Sequence, residues 1–189
     1  VGARAQRFHF WQTYTNNLVT PASISSPEQR IGTKVTPFGG LVYDLDDQWS
    51  AYASYSEIYK PQSSRISGPA GTGSPLEPMT GKTYETGLKG EWFDGRLNAS
   101  AAYFRTKQEN KAVTDGDLLT PTGATAYKAG SGQETDGIDL ELAGALTENW
   151  NVYAGYTYLH FRRLDSDGRS DPSHLFKAST TYRLSGPLD

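Results

Sequence analysis

The segment "TYETGLKGEWF", residues 83–93, decides the fold class because its side chains alternate in polarity with a period of two. Apolar side chains such as Leu88 and Trp92 fall on one face of an extended strand, and charged side chains such as Lys89 fall on the other. The turn "DGR" and a second alternating run, "LNASAAYF" at residues 97–104, follow at once. Because Asp-Gly between two alternating runs is a strong hairpin signal, the sequence predicts an antiparallel hairpin that separates two environments.

The same hairpin pattern occurs twice more. "PFGGLVYDL" passes through "DDQ" into "WSAYASYSEIY", and "GIDLELAGAL" passes through "TEN" into "WNVYAGYTYLHF". The predicted hairpins therefore cover residues 35–59, 83–107 and 136–161. With "VGARAQRFHFW" as an opening strand and "SHLFKASTTYRL" as a closing strand, the chain has about eight predicted strands and little helical periodicity.

The predicted connections alternate in length. The three hairpin turns are about three residues long, whereas the other links hold most of the Pro, Ser, Asn and Gly. Short turns at one end and long loops at the other are typical of a transmembrane β-barrel, and strands of about 10 to 13 residues suit a tilted membrane crossing. We therefore predict an all-β, antiparallel, up-and-down barrel segment, with a soluble sandwich or lectin-like sheet as the alternative. The long links cover residues 15–33, 60–82, 108–135 and 163–173.

Aromatic side chains cluster at the ends of the predicted strands. Trp and Tyr prefer a membrane interface, because the ring is apolar while its N–H or O–H binds water, so two aromatic girdles are expected. The expected girdles comprise Trp49, Trp92, Phe93 and Trp150 beside the short turns, and Tyr55, Tyr59, Tyr103, Phe104, Tyr156 and Tyr158 toward the long loops.

Composition excludes several classes of function. The 189-residue chain carries 18 Lys and Arg against 21 Asp and Glu, a balance that gives no reason to expect nucleic acid as a partner. The chain has no Cys, which excludes disulfides, thiolate metal sites and cysteine nucleophiles. No apolar run is long enough for a transmembrane helix. Because the chain begins at Val1 rather than Met, we expect a processed product or a piece of something longer.

Four stretches together resemble one family. They are "WSAYASYSEIYKPQSS" at residues 49–64, "LEPMTGKTYETGLKGEWFDGRLNASAAYFRTKQENKAV" at 76–113, "GQETDGIDLELAGALTENWNVYAGYTY" at 132–158 and "DPSHLFKASTTYRL" at 171–184. Their order and spacing resemble the barrel of TonB-dependent ferric-siderophore receptors, and within that family the ferripyoverdine and hydroxamate receptor branch. The resemblance extends through nearly the whole chain from about Lys34, and more weakly through "VGARAQRFHFW".

The resemblance implies a 22-stranded barrel of the bacterial outer membrane with an N-terminal plug in its lumen. The chain departs from that pattern, because it has room for only about eight strands and shows no plug domain, TonB box or terminal aromatic strand. We expect residues 1–189 to be a partial barrel that ends at a short turn, "SGPLD", and that needs the rest of its barrel, a detergent or a partner. A closed eight-strand barrel is possible on strand count.

The charged side chains on the other face of the predicted strands require a polar environment. Lys or Arg at the lipid face costs about 2–4 kcal/mol at the bilayer midplane, so these side chains are expected to face a wet lumen and contact a plug. A direct ligand role for them is the minority alternative. They are Arg4, Glu85, Lys89, Glu91, Asp139, Glu141 and Lys177.

No catalytic residue, metal site or cofactor is predicted. The three His have no metal-like spacing. "GPAGTGSPLEP" lacks the Lys-Ser/Thr of a phosphate loop and is read as a flexible loop. "DSDGRSD", residues 165–171, has a hint of a calcium loop but lacks the bidentate Glu, so a solvated loop is preferred.

Ligand contacts are expected at the extracellular mouth. A ferric siderophore carries iron that is already saturated by its own oxygens, so the protein needs aromatic walls and hydrogen-bond donors rather than metal ligands. For each candidate, a role in loop packing or in the interface girdle is the competing interpretation. The candidates are Trp11, Tyr14, Tyr59, Lys60, Gln62, Arg65, Tyr127, His160 and Arg162.

Three functions compete. The resemblance implies a receptor that binds a ferric siderophore outside the cell and passes it inward when TonB pulls on the plug, with no enzymatic role for the barrel. A passive porin-like barrel is the second hypothesis, and the long loops argue against it. A soluble carbohydrate-binding β domain is the third, and it predicts soluble expression without detergent.

Overall fold

A computed structural model describes residues 1–16, 23–25, 27–68, 73–120, 123–163 and 172–184. The predicted solvated loop "DSDGRSD" and the predicted terminal turn "SGPLD" lie outside these ranges. No helix among the described residues has the length and apolarity needed to cross a membrane.

All regular secondary structure in these ranges is β-strand. In chain order the strands are β1 (Gly2–Trp11), β2 (Tyr14–Asn16), β3 (Ser23–Ser25), β4 (Glu28–Asp44), β5 (Trp49–Ile66), β6 (Pro75–Trp92), β7 (Leu97–Glu109), β8 (Ala112–Leu119), β9 (Thr125–Ala129), β10 (Gln133–Thr147), β11 (Trp150–Arg163) and β12 (His174–Tyr182).

Eight of these strands form one antiparallel sheet in the order β1-β4-β5-β6-β7-β10-β11-β12. The remaining strands form two small pairs, β2–β3 and β8–β9, within two of the long connections. Because β1 and β12 each have one neighbour in the described sheet, the sheet is open and not closed into a barrel. The predicted all-β, antiparallel, up-and-down architecture is confirmed.

The turn between β6 and β7 shows how local chemistry sets the register. Asp94 and Gly95 both have positive φ, 56° and 79°, and the Arg96 N–H donates to the Phe93 carbonyl at 3.3 Å. Two central residues with positive φ define a type I′ turn, whose twist matches that of the flanking strands. The Asp-Gly signal in the sequence therefore corresponds to the turn that aligns Trp92 with Leu97.

The sheet has two chemically different faces, because residues paired across antiparallel strands point to the same side. The apolar face is defined by the row that crosses the sheet through Tyr43, Ala51, Leu88, Ala101, Leu140, Tyr156 and Phe176. The polar face is defined by the next row, Ser50, Lys89, Ser100, Glu141, Gly155 and Lys177.

Burial is sparse in the described part of the chain. Its buried apolar residues are Ile66, Ala102 and Ala126. Large apolar side chains remain open to the surroundings, with Leu41 at 78 % and Phe176 at 69 % exposure. The sheet therefore has no hydrophobic core of its own at the level of the apolar row.

The predicted loop over residues 60–82 is wrong at both ends. Strand β5 continues to Ile66 and β6 already begins at Pro75, although this stretch is rich in Pro, Gly and Ser. Register shifts between Lys60 and Gln62, and again before Ile66, accommodate the prolines without ending the hairpin. The links over 15–33 and 108–135 likewise contain the pairs β2–β3 and β8–β9. Local turn chemistry was overridden by pairing with a neighbouring strand.

Candidate functional site

The polar face collects the seven charged residues predicted to face a lumen. The register places Lys89, Glu141 and Lys177 in one row and Asp139 in the row beside it. Strand alternation adds Glu85 and Glu91 of β6 to the same face. Arg4 is paired with Thr36, whose hydroxyl donates to the Arg4 carbonyl at 3.2 Å.

Hydrogen bonds connect this polar face across its strands. The Tyr52 hydroxyl donates to Glu85 Oε1 at 2.6 Å, and Lys89 Nζ lies 4.9 Å from the centre of the Tyr52 ring. On the same face, between β11 and β10, Thr157 Oγ1 donates to Asp139 Oδ1 at 2.8 Å. These contacts give the carboxylates partners on neighbouring strands and leave a polar surface suited to water or a polar protein surface.

Two cavities indent this surface. One of about 230 Å³ is lined by Lys89, Asn98, Ser100 and Glu141 among others. The other, of about 140 Å³, is lined by Asp139, Glu141, Thr157 and Lys177 among others. Glu141 borders both, so the two cavities flank a single carboxylate rather than forming a deep pocket.

Sequence reasoning missed one contributor to the polar face, Tyr52. It is bonded to a residue that was predicted, Glu85. The signal was present in the alternation of "WSAYASYSEIY", which puts Tyr52 beside Ser50 on one face. What the sequence did not show was the partner across the strand.

Aromatic pairs mark both ends of the apolar band. Near the short turns, the rings of Trp49 and Trp92 meet edge to face at 5.1 Å, and Trp150 Nε1 donates to Thr180 Oγ1 at 2.7 Å. Near the long loops, the rings of Tyr55 and Tyr84 lie 5.1 Å apart. About nine residues separate the two ends along β6, which matches a tilted membrane strand.

Phe104 does not belong to the expected outer girdle. It is paired with Glu85 and with Gly137, so it lies on the polar face. A Cβ at Gly137 would lie 2.8 Å from Phe104 Cζ, which shows that the ring covers this glycine. The girdle prediction was wrong at this position because it counted distance along the strand and ignored the strand's alternation.

From the row of Tyr55 and Tyr84 upward the apolar face becomes charged. We call this region the charged rim. It consists of a lower row, Arg105, Asp136 and His160, and an upper row, Glu57, Lys82, Lys107, Glu134 and Arg162.

The predicted ligand residues His160 and Arg162 belong to this rim. His160 Nδ1 lies 3.5 Å and Arg162 Nε 3.6 Å from Asp136 Oδ1. Alternation along β11 puts both on the face that carries Tyr156, opposite the polar face. Their role as ligand contacts stays a prediction, although the structure gives their position on the charged rim.

Gln62 is held by three hydrogen bonds to backbone groups. Its Nε2 donates to the Glu77 carbonyl at 2.9 Å and to the Asn110 carbonyl at 2.6 Å, and its Oε1 accepts from the Ala112 N–H at 2.8 Å. The side chain thus ties β5 to β6 and to the link after β7. These bonds use the amide's polar groups within the protein.

Arg65 and Tyr127, predicted separately from two different loops, are in contact. Arg65 NH1 donates to the Tyr127 hydroxyl at 2.7 Å, and the guanidinium carbon lies 4.6 Å from the ring centre. The contact is possible because the β8–β9 hairpin packs against the extended part of β5 and β6, where Ala126 is fully buried. The Arg65 side chain remains exposed and keeps other N–H donors available.

The other candidates are spread over the long-loop end. Trp11 is 71 % exposed, and its ring lies 5.0 Å from that of His9. Glu28 accepts hydrogen bonds from His9 and Arg30, and these bonds hold the pKa of the carboxyl below its usual value. The centre of the Tyr59 ring lies 5.7 Å from Lys34 Nζ. Lys60 is exposed on β5, and Tyr14 is the first residue of β2. Of the seven predicted residues outside the rim pair, the contacts of the described side chains bring together Arg65 and Tyr127.

Comparison with known proteins identifies the family. The family model described as TonB dependent receptor-like, beta-barrel matches residues 1–189. The chain is 39 % identical over 191 residues to a ferric-pyoverdine 358 receptor of Pseudomonas putida, an alignment covering 98 % of this chain and 22 % of the relative. It is 38 % identical over 172 residues to the ferripyoverdine receptor of Pseudomonas aeruginosa, covering 87 % of this chain and 20 % of the relative.

Solved structures agree with this assignment. The ferripyoverdine receptor of the outer membrane of Pseudomonas aeruginosa, bound to ferripyoverdine, superposes with a TM-score of 0.73 at 31 % identity, covering 98 % of this chain and 27 % of that one. The ferric-catecholate import receptor Fiu from K12 E. coli has a TM-score of 0.74 at 21 % identity, which shows the shared fold alone.

The chain spans about a fifth of the length of the curated relatives that it matches. The resemblance read from the sequence is confirmed over all 189 residues. The chain belongs to the TonB-dependent receptor-like β-barrel family of bacterial outer-membrane proteins.

Proposed function

We propose that this chain forms part of the barrel wall of a receptor that binds a ferric siderophore outside the cell and imports it with TonB-transduced energy. The observation that carries the proposal is the two-faced sheet without a core. Its apolar face exposes Leu88, Leu140 and Phe176, and its polar face carries the bonded Tyr52–Glu85 and Thr157–Asp139 pairs. Such a sheet is stable where lipid covers one face and a wet lumen covers the other.

The proposed substrate is a ferric chelate of the pyoverdine class. Curated relatives at 38 % and 39 % identity are named as ferripyoverdine and ferric-pyoverdine receptors, which supports this choice. The chelate's own oxygens saturate its iron, so the chain need not supply metal ligands, and no resident cofactor or catalytic group is invoked. The exposed Arg65, supported by Tyr127, offers N–H donors to an anionic chelate.

The proposed partners follow from the same architecture. The apolar face is assigned to outer-membrane lipid, the two open edges β1 and β12 to the remainder of the barrel, and the polar face to a plug through which the TonB complex acts. The charges of Lys89, Glu141 and Lys177 would then contact polar groups of the plug or its hydration water.

The test uses the full-length protein that contains this chain. We expect ferric pyoverdine to bind the detergent-solubilised receptor more tightly than other ferric hydroxamates, and uptake of radiolabelled iron by cells to stop when TonB is deleted. Binding of none of these chelates would overturn the substrate. Uptake that continues without TonB would instead indicate a passive barrel, and stable folding without detergent would indicate a soluble domain.

A further inference from the structure

Arg65 differs from other arginines near the long loops, because its guanidinium contacts a neutral side chain rather than a carboxylate. Its NH1 donates to the Tyr127 hydroxyl, and within the described part of the chain this exposed side chain forms no ion pair. A cation that the protein does not neutralise is available to an anionic group on a ligand. By contrast, the arginines of this region with a carboxylate beside them are Arg30 with Glu28, Arg105 with Glu134, and Arg162 with Asp136.

The carboxylate of the β8–β9 hairpin that lies beside Tyr127 in the register already has a partner. Asp115 follows Thr114, which is paired with Tyr127, and its Oδ1 lies 3.0 Å from Lys128 Nζ. Along β5, the neighbours of Arg65 are Ser64 and Ile66, which carry no charge. The hairpin and the strand that hold the Arg65–Tyr127 contact therefore leave the guanidinium charge without a carboxylate of its own.

Two contacts with one tyrosine orient the Arg65 guanidinium. NH1 donates to the Tyr127 hydroxyl at 2.7 Å, and the guanidinium carbon lies 4.6 Å from the centre of the same ring. A guanidinium held by both a hydrogen bond and a ring face has lost much of its rotamer freedom before any ligand arrives. Its other edge, Nε and NH2, donates to none of the described residues. That edge carries two parallel N–H donors, which match the two oxygens of a carboxylate.

The packing of the hairpin fixes the position of Tyr127 itself. Its neighbour Ala126 is fully buried, and a Cβ added at Gly68 would lie 3.2 Å from the Ala126 Cβ, so the hairpin approaches the end of β5 closely. At the base of the hairpin, the Gly130 N–H donates to the Lys111 carbonyl at 2.9 Å. Because Ala126 is held in this way, the adjacent Tyr127 is presented to Arg65 from a fixed backbone.

We propose that Arg65 binds a carboxylate of the ferric chelate that takes no part in iron coordination, and that Tyr127 is the residue that positions Arg65. This inference rests on the proposed receptor function and names the chemical group that the long-loop end selects. Since the chelate's own oxygens saturate the iron, selectivity must come from groups at the chelate's periphery. A carboxylate accepts both N–H groups of the free edge and neutralises the guanidinium, whereas a carboxamide has one acceptor oxygen and no charge.

The experiment titrates the full-length receptor in detergent with two chelates, by isothermal calorimetry. The probes are a ferric pyoverdine that carries a free carboxylate and the primary amide prepared from it. We expect the carboxylate form to bind about tenfold more tightly, the value for a charge-assisted hydrogen bond. Arg65→Gln should abolish this preference, and Arg65→Lys should restore only part of it, because an ammonium lacks the planar fork. Tyr127→Phe keeps the ring and loses the hydroxyl, so the preference should fall about threefold. Affinity for the amide should stay unchanged in all three variants, whereas a purely structural role would weaken both chelates equally.

The matched control is Arg96→Gln, at the short-turn end of the sheet. Its guanidinium carbon also lies over an aromatic ring, 5.9 Å from the centre of Phe93, so the same change there should leave the preference intact. Equal affinity of the unmodified receptor for the two chelates, or a preference that survives Arg65→Gln, would overturn the carboxylate site. Equal weakening of both chelates by Tyr127→Phe would overturn the positioning role. Binding of neither chelate would instead overturn the proposed substrate, and this site with it. Heat-resistant electrophoretic mobility of each variant shows that its barrel is folded.

Discussion

Two regions of the sheet treat apolar side chains in opposite ways. The membrane-level part leaves them exposed, whereas the extension toward the long loops, formed by the ends of β5 and β6 with β8–β9, buries them. At the membrane level, Leu88 and Leu140 are 43 % and 41 % exposed, although both lie in the middle of the apolar row. In the extension, Ile66 is 7 % and Ala126 0 % exposed, because the β8–β9 hairpin covers β5 and β6.

The difference shows which solvent each region is built for. An apolar side chain that faces lipid gains nothing from being covered by protein, whereas one that faces water is stabilised by burial. The extension therefore builds a small core and ties it with the Gln62 bonds, and the membrane-level sheet leaves its apolar row open. Changes in the two regions should consequently have different effects.

The largest expected effect comes from a charge in the apolar row. Leu88→Arg places a cation midway between the Trp92 and Tyr84 ends of the band and should destabilise the membrane-inserted full-length barrel by about 2–4 kcal/mol. Reversible folding into lipid vesicles, followed by tryptophan fluorescence, measures this change. The control Ser100→Arg, on the polar face, should cost much less. An equal cost for both would contradict the assignment of the two faces.

A cavity in the extension should act locally. Ile66→Ala removes a buried side chain of the small cluster, and we expect a loss of about 2 kcal/mol, at the lower end for such truncations because the cluster is small. Amide hydrogen exchange at Ala126 and its neighbours should speed up while the barrel's thermal midpoint stays unchanged. The control is Leu119→Ala, which truncates a side chain of the β8–β9 hairpin that is 50 % exposed. Global destabilisation by Ile66→Ala would show that the two regions unfold together.

Loss of the Gln62 amide should have a smaller effect. Gln62→Ala leaves the Glu77 and Asn110 carbonyls and the Ala112 N–H without this partner, at a cost of about 1–2 kcal/mol because water can replace part of the bonding. Hydrogen exchange at Ala112 reports the change. Gln62→Glu keeps an acceptor for the Ala112 N–H but loses both donors. The exchange rate of Ala112 in this variant should therefore lie between those of the unmodified protein and of Gln62→Ala. Unchanged exchange in Gln62→Ala would remove Gln62 from the ties that hold the extension.

The smallest expected effect is a pH response at the end of β1. Hydrogen bonds from His9 and Arg30 lower the pKa of Glu28 in the folded protein, so the stabilisation is present above the ordinary carboxyl value of 4.5 and is lost as the pH falls through the lowered folded value. Trp11 fluorescence should report this step, because its ring contacts His9. Glu28→Gln should abolish the step. A midpoint at or above 4.5 would contradict the lowered pKa.

Much of the fold could be predicted because alternation is a local property of the chain. "TYETGLKGEWF" was sufficient to assign Leu88 and Lys89 to different faces, and Asp94-Gly95 was sufficient to place the turn. The extent of the strands could not be predicted in the same way. Pro75 and Pro78 indicate a loop in isolation, yet both lie in β6, since strand pairing and two register shifts hold them there.

The sequence by itself determined the all-β class, the two faces and the family, because side-chain period, turn residues and motif order are all written along the chain. Only the tertiary structure decided which distant groups meet. It brought Arg65 to Tyr127, Tyr52 to Glu85 and His160 to Asp136. The physical reason is that a strand's own alternation sets the side to which a residue points, whereas the register and the hairpin packing set its neighbour.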